Sequence, residues 1–304
     1  MITKKVLKEF VEANPKLVTR KESVRYPGLF VIKYKRNVFW DNLWNDVLVE
    51  CRGLVVDANW NPVIQPFTKI FNRGENGTDI DRDAKVTSIR KVNGFMAGAT
   101  YVDGYGVIVS TTGSLDSDFV VLAEKYITPQ VKTVIERYAP AMTFVFEIVD
   151  ATDPHIVVEE EGAYLIGARV VPATEDYMSD AAWESFLDDA AVSLGVKRPE
   201  WTVGRFSDVV EAAKTCKHEG FVVYSETTAL KIKSPFYLTS KFFARKGAEK
   251  LFDMLAKNAT VDSIKQDIID EEYFHLVDHL VANKEEFCAL DEFARLDYIK
   301  NFLG

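Results

Sequence analysis

Lys91 stands in the string KVNGF, between two apolar runs and three residues before Gly94. A lysine there is either the solvated end of a strand or a nucleophile beside backbone left bare for a nucleotide to approach. Three further strings set a charge at the edge of an apolar strand. They are ECRGLVVD with Arg52, FVFEIVD with Glu147, and HEGFVVY followed by LKIKS with Glu219, Lys231 and Lys233. Singly, most have a plain structural explanation. Arg52 suits a salt bridge on a strand, and Lys231 and Lys233 are two residues apart, as on the exposed face of an edge strand. Glu147 is harder to dismiss, because Phe144, Val145, Phe146, Ile148 and Val149 flank it. A buried unpaired carboxylate costs several kcal/mol, so Glu147 must meet a cation, a metal or a hydroxyl.

The elements that hold these residues follow from periodicity. Ile2, Val6, Leu7, Phe10 and Val11 recur at helical spacing, which predicts a helix over roughly residues 2–13 ending at Asn14-Pro15. To about residue 111 the chain is rich in β-branched residues bounded by Gly, Asn and Asp, and predicts mainly strands, with DGYG at 103–106 as a hairpin turn. A helix is predicted over about 117–138, then strands at TFVFEIV and AYLIGARVV. A helix near 179–194, capped at Ser179-Asp180, precedes strands at GFVVY and LKIKS. From about residue 239 everything reads as helix. The pattern contains neither repeats nor strict βαβ alternation. It predicts an α+β fold: a mixed, largely antiparallel domain over 1–238, then a small all-helical domain over 239–304. No GxxxxGK[ST], GxSxG or HExxH string occurs. His275 and His279 can share a helix face, but without a matching carboxylate motif they read as an ordinary helix surface.

With 304 residues, 12% aromatic and 27% charged, the composition is that of an ordinary globular protein with room for two domains. Cys51, Cys216 and Cys288 lie far apart, which points to a reducing compartment and away from a structural zinc site. The N-terminal segment lacks the apolar core of a signal peptide or membrane span, so the expected location is cytoplasmic. A net charge of −9 argues against nucleic acid only as a total. Residues 1–36, Lys33 among them, hold ten Lys or Arg against three Glu. Lys241, Arg245, Lys246, Lys250 and Lys257 add a second basic run. A polyanionic partner is therefore allowed.

In this order the strings resemble the covalent nucleotidyltransferase superfamily of ATP-dependent ligases and mRNA capping enzymes. The KxxG nucleophile motif is Lys91-Val92-Asn93-Gly94 and the K-x-K strand is Lys231-Ile232-Lys233, with Phe146-Glu147 and Glu219-Gly220 between them. KxxG alone recurs by chance, whereas these four elements and the Arg52 string before them, five in order over about 180 residues, are specific. CRGLVVD followed by PFTKIFNRGE is similar to the bacteriophage RNA ligase 1 family. That resemblance implies ATP contacts from Tyr34, Arg52, Lys69, Phe71, Asn93, Gly94, Glu147, Gly220, Lys231 and Lys233, and metal contacts from Glu147 and Glu219. It implies a role in ligation for Tyr237 of KSPFYL, with Lys241 nearby on the RNA path. DNA ligases and capping enzymes instead place an arginine soon after KxxG and carry a C-terminal OB-fold. One position departs from the family. Thr112, in Ser110-Thr111-Thr112-Gly113-Ser114, stands where a phosphate-binding lysine is expected.

The resemblance implies three steps. Lys91 attacks the α-phosphate of ATP, expels pyrophosphate and becomes a lysyl-AMP phosphoramidate. AMP then passes to the 5′-phosphate of an RNA end, and a 3′-hydroxyl attacks that end and releases AMP. An ammonium is no nucleophile, so Lys91 must lose its proton, which Lys231, Lys233 or a metal nearby favours. Lys91, Lys231 and Lys233 form the expected catalytic set. Mg2+ is the expected ion, with Mn2+ as a substitute. The implied partner is RNA with 5′-phosphate and 3′-hydroxyl ends, tRNA among the candidates, in RNA repair; the host cytoplasm of a virus would fit the family. The rival expectations are an enzyme that only adenylylates 5′ ends or seals DNA nicks, and a non-catalytic module that binds RNA ends.

Overall fold

Strand-forming sequence dominates the first half of the chain, and it builds three sheets. The computed structural model describes residues 2–138, 142–245, 247–268 and 270–303. Its strands are β1 (Val18–Glu22), β2 (Phe30–Tyr34), β3 (Arg52–Val56), β4 (Pro62–Ile64), β5 (Phe71–Asn72), β6 (Lys85–Arg90), β7 (Phe95–Val102), β8 (Gly106–Thr111), β9 (Met142–Val149), β10 (Gly162–Val170), β11 (Trp201–Arg205), β12 (Gly220–Tyr224) and β13 (Ala229–Lys233). The first sheet runs β1-β2-β3-β4, the second β10-β9-β7-β8 and the third β11-β6-β12-β13-β5. All pairings are antiparallel except that of β13 with β5.

Helices close these sheets. Leu7 and Val11 of the helix Lys4–Ala13 pack with Val18, Ile32 and Val56 of the first sheet. Val131, Ile135, Leu187 and Leu194, from helices Pro129–Arg137 and Ala181–Leu194, join Phe144 and Phe146. Each phenylalanine is fully buried and contributes about 2 kcal/mol. β9 is buried from Thr143 to Val149 without alternation, because both its faces are covered, so Glu147 is carried into the interior by its neighbours. Helix Phe206–Thr215 covers Val86, Val223 and Leu230 of the third sheet. The C-terminal helices gather a separate core around Phe242, Leu251, Tyr273, Leu280 and Phe287. The result is an α+β fold with largely antiparallel sheets and a helical C-terminal region. Among the described residues no helix is long and apolar enough to cross a membrane.

Some boundaries differ from those expected. The segment predicted as one helix over 117–138 is two, Asp118–Glu124 and Pro129–Arg137. Pro129 cannot continue a helical ladder, and Thr128 caps the second helix by accepting from the Val131 N–H. At the later helix Asp180 is the capping residue, accepting from Trp183. β11, with little apolar alternation, was not foreseen; it is held by pairing with β6. The helix Pro235–Arg245 runs across residues 238 and 239, where a domain division was expected.

Candidate active site

The string KVNG links the end of β6, in the third sheet, to the start of β7, in the second. Its backbone is pinned on both sides. Lys91 N donates to the Gly220 carbonyl at 2.8 Å, and Gly94 N donates to Glu147 Oε1 at 3.1 Å. Asn93, buried between them, donates from Nδ2 to Glu219 Oε2 at 2.9 Å and accepts from Val157 N at 3.0 Å. Gly94 has a structural reason beyond the expected bare approach for a nucleotide. A Cβ there would lie 2.3 Å from the Ile148 carbonyl oxygen, so glycine is what lets β7 meet β9. Gly220 has φ +133°, and a Cβ would lie 2.0 Å from the Ile232 carbonyl oxygen. It stands behind the site, closing β12 on β13 and offering its carbonyl to Lys91.

Lys91 opens into a cleft of about 370 Å³. Arg52 of β3, Thr112 after β8, Glu147 of β9 and Lys231 of β13 share its wall with apolar Phe67, Val92, Ile166 and Val222. The size and the mixture of apolar faces with a few converging charges suit a small polar ligand such as a nucleotide. The start of β3 is fixed by buried Glu50, which accepts from Arg169 Nη1 at 2.9 Å and from Gln65 Nε2 at 3.2 Å. Arg52 is therefore presented from an anchored strand, and among the described residues it has no ion pair.

The charges in the cleft are unequally balanced. Lys91 Nζ lies 3.1 Å from Glu219 Oε2, and Lys233 Nζ lies 3.4 Å from Glu219 Oε1. Burial pushes the Glu219 carboxyl up, but Lys91 and Lys233 outweigh it and hold the group below the usual carboxylate range. For Glu147 burial prevails: it is pushed above that range, with Lys91 only partly opposing and Glu219 adding to the rise. Burial, then Lys69 and Lys233, bring Lys231 down to about 7. Sequence reasoning set the pressure of the cation cluster on Lys91. In the structure Lys91 is ion-paired with Glu219, and the cation cluster presses on Lys231 as well.

Several expected contacts are not among the residues that line this cleft. Tyr34 meets Trp44 edge-on at 4.9 Å between centroids, and Trp44 meets Phe71 at 5.4 Å. Lys69 lies 4.8 Å from the Trp44 ring and 4.9 Å from that of Phe71, with Nζ 3.1 Å from Glu75 and 3.5 Å from Glu271. Tyr237 is buried, with Lys233 Nζ 4.9 Å from its ring centroid. Lys241 does not present its ammonium to solvent: it is buried and bound to Asp270 at 3.0 Å and Glu272 at 2.6 Å. Glu272 also takes Lys233 at 3.1 Å, and these two cations overcome burial to bring its carboxyl down to about 2. Lys246 of the basic run lies outside the described residues. Sequence reasoning missed Phe67, Trp44, Glu271 and Glu272. Only the pairing of two acids at 271 and 272 left any sign in the chain.

Glu147 and Glu219 are the acidic groups at hand for a metal. The charge of Glu219 adds to the rise of the Glu147 carboxyl, and among the described residues no three candidate ligands gather at one point, here or elsewhere. Two carboxylates without a protein cage fit Mg2+, which completes its shell with phosphate and water oxygens. His279 is instead stacked on Tyr298 and Phe302.

The fold is similar to that of ATP-dependent ligases of known structure. An archaeal ATP-dependent RNA ligase, in form 1, superposes with a TM-score of 0.55 at 15% identity, covering 84% of this chain and 68% of that one. Form 2 gives 0.57 at 14% identity, over 100% of this chain and 80% of the other. A provisionally named ATP-dependent DNA ligase from Aquifex aeolicus gives 0.57 at 15% identity, over 96% and 77%. The likeness is one of fold. No protein-family model and no curated protein sequence matches the chain.

Proposed function

We propose that this chain is an ATP-dependent RNA ligase of the bacteriophage RNA ligase 1 type, acting through lysyl-AMP at Lys91. The observation that carries the proposal is the convergence of Lys91, Arg52, Glu147 and Lys231, from four separate strings, on one cleft. The apolar wall takes the base, Glu147 accepts from a ribose hydroxyl, and Arg52 and Lys231 face the phosphates. Lys91 Nζ gives up one proton to solvent, its lone pair forms an N–P bond to the α-phosphorus, and a second proton leaves the nitrogen for the departing pyrophosphate. The P–O bond to pyrophosphate breaks, and the leaving group departs with that electron pair. Lys231, with a pKa of about 7, can take up a proton as negative charge arrives and steady the charge that develops. Glu219 holds Lys91 in place, and Tyr237 acts by holding Lys233. Mg2+, with Mn2+ as a substitute, would be held by Glu147 and Glu219 and would neutralise phosphate charge. AMP then moves to a 5′-phosphate, and a 3′-hydroxyl displaces it to join the strands.

The preference for RNA over DNA rests on the strings around Arg52, Lys69 and Phe71 and on the helical C-terminal region, with tRNA one candidate substrate in a repair setting. The division into an adenylylating part and a helical part belongs to the same proposal, with the helix Pro235–Arg245 as the joint. Intact mass tests the first step. After ATP and Mg2+ the protein should gain one AMP, lose it to pyrophosphate, and gain none as Lys91→Ala. Paired RNA and DNA ends should then show RNA consumed first. A wild-type protein that starts free of AMP and gains none would overturn the reading.

A further inference from the structure

The cations around the cleft fall into two groups. Lys69, Lys91, Lys233 and Lys241 all have carboxylate partners within 4.0 Å. Among the described residues Lys231 has none, and neither do Arg52 and Lys33. These two belong together. Lys33 of β2 pairs with Arg52 of β3 across a bulge at Gly53, where the register shifts after Ile32, so the two cations are neighbours on adjacent strands. Lys33 then reaches the turn that follows β8. The Cβ position of Gly113 is 2.8 Å from Lys33 Nζ and 3.2 Å from its Cδ, so the ammonium lies against the backbone beside Thr112, on the cleft wall. Gly53 seats that turn. At φ +80° its Cβ position is 2.9 Å from Thr112 Cα, and only glycine lets β3 and the turn approach so closely. Two glycines thus bring Lys33 to the outer side of the turn whose Thr112 lines the cleft with Arg52, leaving two positive charges without a carboxylate at that edge.

From this we propose that Lys33 binds the β- and γ-phosphates of the incoming nucleotide, beside Arg52. The reasoning rests on the nucleotide reading given above. A triphosphate brings several negative charges, and it gains most from cations that need not leave a carboxylate first. Lys33 supplies from the first sheet the charge that Thr112 does not supply from the second. A pyrophosphate leaving group is the only part of ATP that AMP lacks, so Lys33 separates the two ligands. Lys33 is exposed, and its removal leaves the core intact.

The experiment is titration calorimetry on Lys91→Ala protein, which binds without turnover, with ATP, AMP and inorganic pyrophosphate as probes. Adding Lys33→Ala should weaken ATP and pyrophosphate by about tenfold or more and leave AMP unchanged. Adding Thr112→Lys to that protein should restore the loss, because the new ammonium starts from the neighbouring position. Lys33→Gln, of similar length, should behave as Lys33→Ala. Equal ATP affinity with and without Lys33, or equal losses for ATP and AMP, would overturn the assignment. The mass experiment separates the two proposals. An AMP adduct with a Lys33-independent ATP affinity sinks this one alone, whereas a Lys33-dependent polyphosphate site without any adduct sinks the ligase reading alone.

Discussion

Lys231 is the residue most altered by its surroundings. Burial lowers its pKa first, then the charges of Lys69, Lys233 and Arg52, while Glu271 opposes them, and the outcome is about 7. A lysine held that low is only partly charged near neutral pH and less so at pH 8. Phosphate oxygens reverse the balance, since an opposite charge favours the ammonium. ATP binding to Lys91→Ala protein at pH 8 should then take up close to one proton, read from binding heats in buffers of different ionisation enthalpy. The Lys91→Ala, Lys231→Ala double variant should lose that uptake. An unchanged uptake would move the titration to another group. How far such behaviour could be foreseen depends on its origin. Lys91, Glu147 and Lys231 were legible because each charge interrupts a local apolar run. The depressed state of Lys231 was not, since it depends on its burial and on Lys69 beside it, nor was the ion pair of Lys91 with Glu219 at 3.1 Å.

At the scale of the element, the site exists because two sheets meet at Lys91-Val92-Asn93-Gly94. β6 ends there against β12, and β7 begins against β9. Gly94 and Gly220 permit both contacts. Strand order and hydrophobic runs announced the strands themselves, and Thr128-Pro129 carried the helix break that periodicity alone passed over. The reason for each glycine was hidden, because the carbonyl it avoids belongs to a strand elsewhere in the chain. Gly220→Ala is expected to cost about 2–4 kcal/mol, from a forced contact with Ile232 and a left-handed backbone. The urea midpoint should fall with little change in slope. Adenylylation should fall further than the folded fraction does, since the Gly220 carbonyl anchors the Lys91 N–H. A variant as stable as the parent would mean that β13 moves aside freely.

At the scale of the molecule, the helical C-terminal region is wired into the cleft by two adjacent acids. Glu271 reaches Lys69 across 202 residues of chain at 3.5 Å, and Glu272 takes both Lys233 and Lys241. No local pattern could announce pairings at such separation, which is why the helical region read as an appendage. Removing one partner of a buried ion pair strands the rest, so Glu272→Gln should cost about 3 kcal/mol at neutral pH. The sign of its pH dependence follows from linkage. The Glu272 carboxyl falls from 4.5 to about 2 on folding, so the stabilisation is complete above pH 4.5 and drains away as the pH drops toward 2. Urea midpoints of the parent and of Glu272→Gln, followed downward from pH 6 while both remain folded, should lie well apart at first and converge below pH 4.5. A gap that stays constant to the lowest pH would show that Glu272 acts by packing rather than by charge. The helical region would then be joined to the cleft by shape alone, and Lys233 would keep its place without it.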